Sequence, residues 1–220
     1  SRIIQFVLEN YHVLCWSFFF GLIIAASWYV AKDIPKWNAN RVALLLLGIG
    51  LMIALFTSAP VSMPVTPISL IIGGAVAISA MLMPGISGSF VLVILGLYQP
   101  ILMAINGLHL DTLMYFALGM GIGLLTITRF LSWLLHRFTY SMQAFLTGIM
   151  LGSLFKIWPW KEAVLTRVNS KGQVVPLLED NILPAFNADL IYAVILACIG
   201  FALVLAIEIG MSKLSGKADK

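Results

Sequence analysis

Residues 12–31 contain no Asp, Glu, Lys or Arg, and no other feature restricts so severely what this chain can become. Twenty helical residues reach about 30 Å, the thickness of a bilayer's hydrocarbon core. In hydrocarbon every backbone N–H and C=O must find a partner within the chain, so such a run is expected to be helical. Comparable apolar runs cover 42–56, 68–83, 89–105, 112–128, 140–155 and 188–209. The chain is 61% hydrophobic and only 10% charged, with a mean hydropathy of +1.02. A soluble domain carries about 25% charged residues, so a water-facing surface is excluded. The fold class that follows is all-α: a polytopic integral membrane protein, with 1–220 forming one transmembrane domain.

Between the third and fourth runs stands Pro84-Gly85-Ile86-Ser87-Gly88-Ser89. Residues 68–105 are too many for one crossing at about 1.5 Å per residue. They read as a broken hairpin, either re-entrant or fully spanning. Residues 57–67, with Pro60, Pro64 and Pro67 and no charge, read as a tight interfacial turn. If the hairpin enters and leaves on one side, Lys32, Lys36, Arg41, Arg129, Arg137, Lys213, Lys217 and Lys220 share the other side. Lys156, Lys161, Arg167 and Lys171 then face away from them. Eight against four satisfies the positive-inside rule with a cytoplasmic C-terminus.

Smaller features divide between packing and interface. The formal charge of +4 suits an anionic membrane surface, and no basic stripe with interleaved aromatics marks a nucleic-acid site, so no nucleic acid is expected. Cys15 and Cys198 lie in apolar runs and read as buried small hydrophobes. Residues 18–27 (FFFGLIIAAS) echo 144–153 (AFLTGIMLGS), each with small residues four apart: Gly21 and Ala25, Gly148 and Gly152. That spacing lets helix backbones approach closely, and its recurrence suggests an inverted repeat. Arg129 is expected to end the 112–128 span, with 130–137 interfacial. Lys156, Trp158 and Trp160 read as an interfacial belt, and Glu208 as a snorkelling carboxylate. Residues 169–173 (NSKGQ) read as a hairpin or loop tip and the C-terminal KLSGKADK as a mobile tail. His12, His109 and His136 fall near span ends, and no metal-ligand or catalytic cluster appears; no cofactor and no metal are expected.

The break carries the chemistry. Pro84 cannot donate a hydrogen bond and disfavours helix at Met83. Gly85 and Gly88 permit positive φ. Ser87 or Ser89 can cap the helix that follows, whose opening then offers free N–H groups to an anion. Ser87 and Ser89 add hydroxyl donors, and Arg129 can clamp a phosphate bidentately. The candidate substrate-binding residues are therefore Pro84, Gly85, Ser87, Gly88, Ser89 and Arg129. A plain kink or packing site is the alternative.

The stretch MPGISGSFVLVILGLYQPIL resembles the motif of the bacterial polyprenyl-phosphate transporter family, in which a Pro-Gly-x-Ser-Gly core leads to a downstream Gly-x-Tyr, here Gly96-Leu97-Tyr98. FLTGIMLGSLFKIWPW is similar to a later stretch of that family, and Arg129 stands where the family tends to place a base. Members carry two such motifs, one per inverted half. The first, of Pro-Gly-x-Ser-Gly-Gly type, is absent here, so the chain is expected to be N-terminally incomplete, the C-terminal part of a larger transporter. The resemblance implies a substrate, undecaprenyl phosphate, returned across the bacterial plasma (inner) membrane for cell-wall synthesis. It implies transport by alternating access around facing broken hairpins, with membrane lipids as neighbours and no enzymatic step; a homodimer is left open. The rival functions are a small-anion channel or carrier, using the same break, and a membrane assembly protein without substrate. A lipid phosphatase would need a nucleophile and a base together, and neither is present.

Overall fold

The computed structural model describes residues 12–168, 174–184 and 188–218. Among them are eight helices and one two-stranded sheet: α1 (His12–Lys32), α2 (Ala39–Thr57), α3 (Pro67–Met81), α4 (Gly88–Ile94), α5 (Tyr98–Asn106), α6 (Leu110–Arg137), α7 (Thr139–Ile157), β1 (Lys161–Val168), β2 (Val174–Asn181) and α8 (Ala188–Ala218). Helices α1, α2, α6 and the 189–210 part of α8 are long and apolar enough to cross a membrane. Their outward faces are apolar as well. Trp28, Leu125 and Met114 are 63%, 63% and 71% exposed. A helix at a water interface keeps one polar face, so these faces are built for lipid. The protein is a multi-pass, nearly all-α membrane protein.

The chain divides into two compact units, Ala31–Ser153 and the two ends, Ser1–Val30 with Leu154–Lys220. In the larger unit α2 starts at Asn38, whose side chain accepts the Arg41 N–H at 3.0 Å. Helix α3 starts with a capping box between Thr66 and Ser69, followed by Pro67 in the first turn, where its missing N–H costs nothing. Two helix pairs form by close backbone approach. A Cβ on Gly119 would collide with the Ile71 carbonyl, and one on Gly123 with Ala75, so α3 and α6 meet in ascending register. Gly148 meets Leu45 and Gly152 meets Ile49 in the same way, so α2 and α7 also run parallel. The small residues thus do what their spacing predicts: without a hydrophobic drive inside lipid, close packing is what holds helices together.

Helix α7 is 19 residues long yet is not among the helices apolar enough to cross on composition alone. Its Thr147, Gly148, Gly152 and Ser153 are buried in the protein. A helix shielded from lipid can carry small and hydroxyl side chains that a lipid-facing one cannot.

The 89–105 run is not one helix. It divides into α4 and α5, bent by 112°. Gly96 has φ +72°. Its N–H donates to Val93 O (3.0 Å) and that of Leu97 to Leu92 O (2.9 Å), the paired bonds of a glycine-terminated helix end. The predicted tight turn at 57–67 is instead extended, and it supports this bend. The Val61 N–H donates to Ile94 O at 2.7 Å and the Met63 N–H to Leu95 O at 3.2 Å. Carbonyls left over at the end of α4 are thereby satisfied. Because α4 ends against the segment that leads into α3, the hairpin turns back on itself, as predicted. Leu70, Ala77, Leu92, Leu97 and Ile101 form its core.

The helix that carries Arg129 runs on past it: α6 continues to Arg137. Two further expectations are corrected. Where KLSGKADK is expected to be a tail, α8 continues through Ala218; Asp219 and Lys220 lie outside the described residues. Cys198 is exposed and Cys15 half-buried, and neither forms a disulfide among the described residues; a small hydrophobe facing lipid gains little by turning inward.

In the smaller unit Gly21 packs on Ala197 of α8, and Gly200 on Phe18 of α1. Strands β1 and β2 pair antiparallel, with Lys161 opposite Asn181 and Val168 opposite Val174. The predicted tip, 169–173, lies outside the described residues. The Trp158 indole donates to Ile182 O and the Asn181 amide to Phe155 O, each at 2.8 Å. Trp158 also meets Phe20 and Trp160, with ring centroids 5.7 and 5.6 Å apart.

Gly119→Leu, which forces a side chain into the Ile71 backbone, is expected to destabilise the protein by about 1–3 kcal/mol or more. Gly121→Leu, where nothing lies within 4 Å, should leave it unchanged. Thermal midpoints of the two variants in one detergent check the contrast.

Candidate functional site

Helix α3 stops at Met81, two residues before the predicted end, and the Met83 N–H turns back to Ala80 O at 3.0 Å. Pro84 dictates this by denying Met83 a helical conformation. Gly85 follows with φ +89°, a conformation open to glycine and costly for other residues. The Ile86 N–H reaches back to Met83 O at 3.4 Å.

Each glycine has a neighbour that fixes it. A Cβ on Gly85 would lie 3.1 Å from Ser153 Oγ, so the break rests on α7. One on Gly88 would lie 2.6 Å from the Ala77 carbonyl oxygen, so the return strand of the hairpin rests on α3. Phe90 meets Phe56 of α2, ring centroids 5.0 Å apart. The non-helical backbone is thus clamped between α3, α7 and the end of α2.

The polar groups of the break point the other way. Gly88 is buried, whereas Pro84, Gly85, Ser87 and Ser89 are exposed. Ser87 occupies the N-cap of α4, but its side chain does not cap. Its hydroxyl instead meets that of Ser89 at 2.8 Å, which corrects the expected capping role. One hydroxyl hydrogen serves this bond and the other remains available to a ligand. With no side-chain cap, the first N–H groups of α4 keep their outward donors. Helix α4 has only seven residues, so its dipole is short. The attraction for an anion rests on discrete donors rather than on a long helix end.

Arg129 stands apart from the serines. By the register Ile71 to Gly119 and Ala75 to Gly123, it lies on α6 near the level where α3 ends. It is exposed, and among the described residues no hydrogen bond or ion pair joins it to Ser87 or Ser89. Its position within α6, two turns before the end at Arg137, places a fixed cation inside a long apolar helix. Such residues carry a function more often than ordinary surface charges do.

Two features were missed in the sequence. Ser153, 1% exposed and donating to Met150 O at 2.7 Å, is the surface on which Gly85 rests; its only signal was its place beside Gly152 in the small-residue repeat. A groove of about 360 Å³ runs between α3 and α6, lined by Val76, Ser79, Ile122, Thr126, Ile127 and Phe130. It ends at the residue next to Arg129. Among the described residues no group of three or more His, Cys, Asp or Glu comes together to hold a metal.

Comparison with known proteins identifies the family. A family model described as undecaprenyl phosphate translocase-like matches residues 1–175. A polyprenyl-phosphate transporter of Vibrio cholerae is 40% identical over 215 residues, covering 94% of this chain and 70% of that protein. A polyprenyl-phosphate transporter of Staphylococcus aureus is 27% identical over 177 residues, covering 72% of this chain and 62% of that protein. No solved structure matches the chain. With the family model covering well over half of it, this chain belongs to the undecaprenyl phosphate translocase-like family.

Proposed function

We propose that the protein carries undecaprenyl phosphate from the outer to the inner leaflet of the bacterial plasma membrane, returning the lipid carrier to cell-wall synthesis. The observation that carries this reading is the break itself: non-helical backbone, clamped on one side and exposing a bonded serine pair on the other. Unpaired backbone in hydrocarbon costs several kcal/mol, so an exposed break needs either water or a polar ligand. A phosphate head supplies acceptors for the Ser87 and Ser89 hydroxyls and for the N–H groups that open α4. Pro84 and Gly85 fix the turn, Gly88 holds it against α3, and Arg129 offsets the phosphate's charge. The isoprenoid tail stays in lipid or along the α3–α6 groove.

Transport, rather than chemical conversion, accords with the transporter names of the two relatives. The excess of basic residues on the C-terminal side supports a cytoplasmic C-terminus. Alternating access between this hairpin and a pseudo-symmetric partner would expose the head to each side in turn. A small inorganic anion would use the same donors, but it has no use for an apolar groove beside the cation, and this favours a lipid.

Ser87→Leu and Arg129→Ala should each weaken binding of undecaprenyl phosphate roughly tenfold or more, the worth of a lost charge-assisted hydrogen bond. Titration of folded protein in detergent measures this, and unchanged affinity in both variants would sink the site. Chloride at a hundredfold excess is not expected to displace the lipid; displacement would favour an anion channel. Thr126→Phe, which fills the groove, should weaken binding of the long-chain lipid while sparing a short prenyl monophosphate; equal affinities for both would remove the groove from the site.

A further inference from the structure

A second groove, of about 440 Å³, lies between the start of α2, the end of α6 and the start of α7. Leu44, Leu47, Leu134, Met142 and Phe145 make its body apolar, and Phe138 lies at the α6–α7 junction. Two guanidinium groups stand at this end. Arg137 lies over the Phe138 ring, 5.9 Å from its centre. Arg41, which follows the lining residue Asn40, lies over Tyr140, 5.2 Å from the ring centre and adjacent to the lining residue Ser141.

Among the described residues neither cation meets a carboxylate. Arg41 donates to the Lys36 carbonyl and stacks on Tyr140, Arg137 stacks on Phe138, and among the described residues neither has an ion-pair partner. Each guanidinium carries five N–H donors, so one backbone bond leaves most of them open. Because α2 and α7 run parallel, their positive N-terminal ends add to the same region.

We infer that this groove is a second station for a lipid phosphate monoester, with the phosphate between Arg41 and Arg137 and the proximal part of the chain along Leu44, Leu47 and Phe145. Charge decides the class of ligand. A phosphate monoester carries close to two negative charges at neutral pH because its second pKa is about 6. A phospholipid diester carries one. Two unpaired guanidiniums match the monoester. The station rests on the reading that this protein handles lipid phosphates. It lies about 18 Å along α7 from Ser153, where the break rests. A head moving between leaflets would meet the break near one end of the α2–α7 pair and this pair of cations at the other.

Native mass spectrometry of the purified protein with geranylgeranyl monophosphate tests the inference. Wild type is expected to hold two molecules. R41Q/R137Q should hold one, and Arg129→Gln should also hold one. The two binding steps should then differ in which variant removes them, each by roughly tenfold or more in affinity. If R41Q/R137Q fails to fold, Leu47→Trp, which fills the groove from an exposed position, replaces it. Two molecules retained by R41Q/R137Q or by Leu47→Trp would overturn the station. So would equal occupancy by phosphatidylglycerol, which would make the groove a site for bulk anionic lipid. A single molecule on wild type, lost only with Arg129→Gln, removes this station and leaves the proposed function standing. No molecule on wild type removes both.

Discussion

The obligation to pair every backbone N–H and C=O away from water governs this fold. Helices meet it within themselves, which is why apolar runs become helices here. The hairpin cannot meet it alone. Pro84 removes one donor and Gly96 ends α4 after seven residues, so carbonyls are left over at both turns. The extended segment before α3 supplies Val61 and Met63 N–H groups to Ile94 and Leu95. The proline-rich stretch is therefore a structural member of the hairpin and not a loose connection.

Packing without a hydrophobic drive is the second constraint. Each of the close helix pairs described is built where a glycine of one helix meets backbone of the other: Gly119 on Ile71, Gly148 on Leu45, Gly21 on Ala197. Dispersion at short range replaces the expulsion of water as the adhesive. The same device holds the break, with Gly85 on Ser153 and Gly88 on Ala77. Tight support on one side leaves the bonded serine pair exposed on the other, so the break is held without being closed.

Much of this was legible because lipid simplifies the code. Run length gave the helices, Pro84-Gly85 gave the first break, and the spacing of Gly148 and Gly152 announced a close contact. The Gly96 bend was hidden because the residues around it are all apolar, and hydropathy cannot separate one buried helix from two. A glycine followed by leucine after an apolar run is a helix-end signal, but periodicity alone does not weigh it against continuation. The continuation of α6 past Arg129 was not marked by hydropathy either: a charge closes an apolar run without closing the helix that carries it. The partner of Gly85 was beyond reach, because Ser153 comes from a helix far along the chain. Ser87 and Ser89 stood out in the sequence as two hydroxyls at the break, while their mutual bond depends on rotamers that no sequence pattern sets.

The parallel pairing of α2 with α7 has a consequence for how the protein is made. Helices adjacent in sequence emerge into the membrane as antiparallel hairpins, but these two are separated by roughly 100 residues, which a ribosome needs on the order of 5–20 s to add. Through that interval Leu45 and Ile49 face lipid or a helper protein instead of Gly148 and Gly152, and the hairpin break has no Ser153 beneath it. The nascent chain thus holds its least satisfied backbone open until α7 arrives. Completion of the break therefore waits on α7, the helix that supplies Ser153.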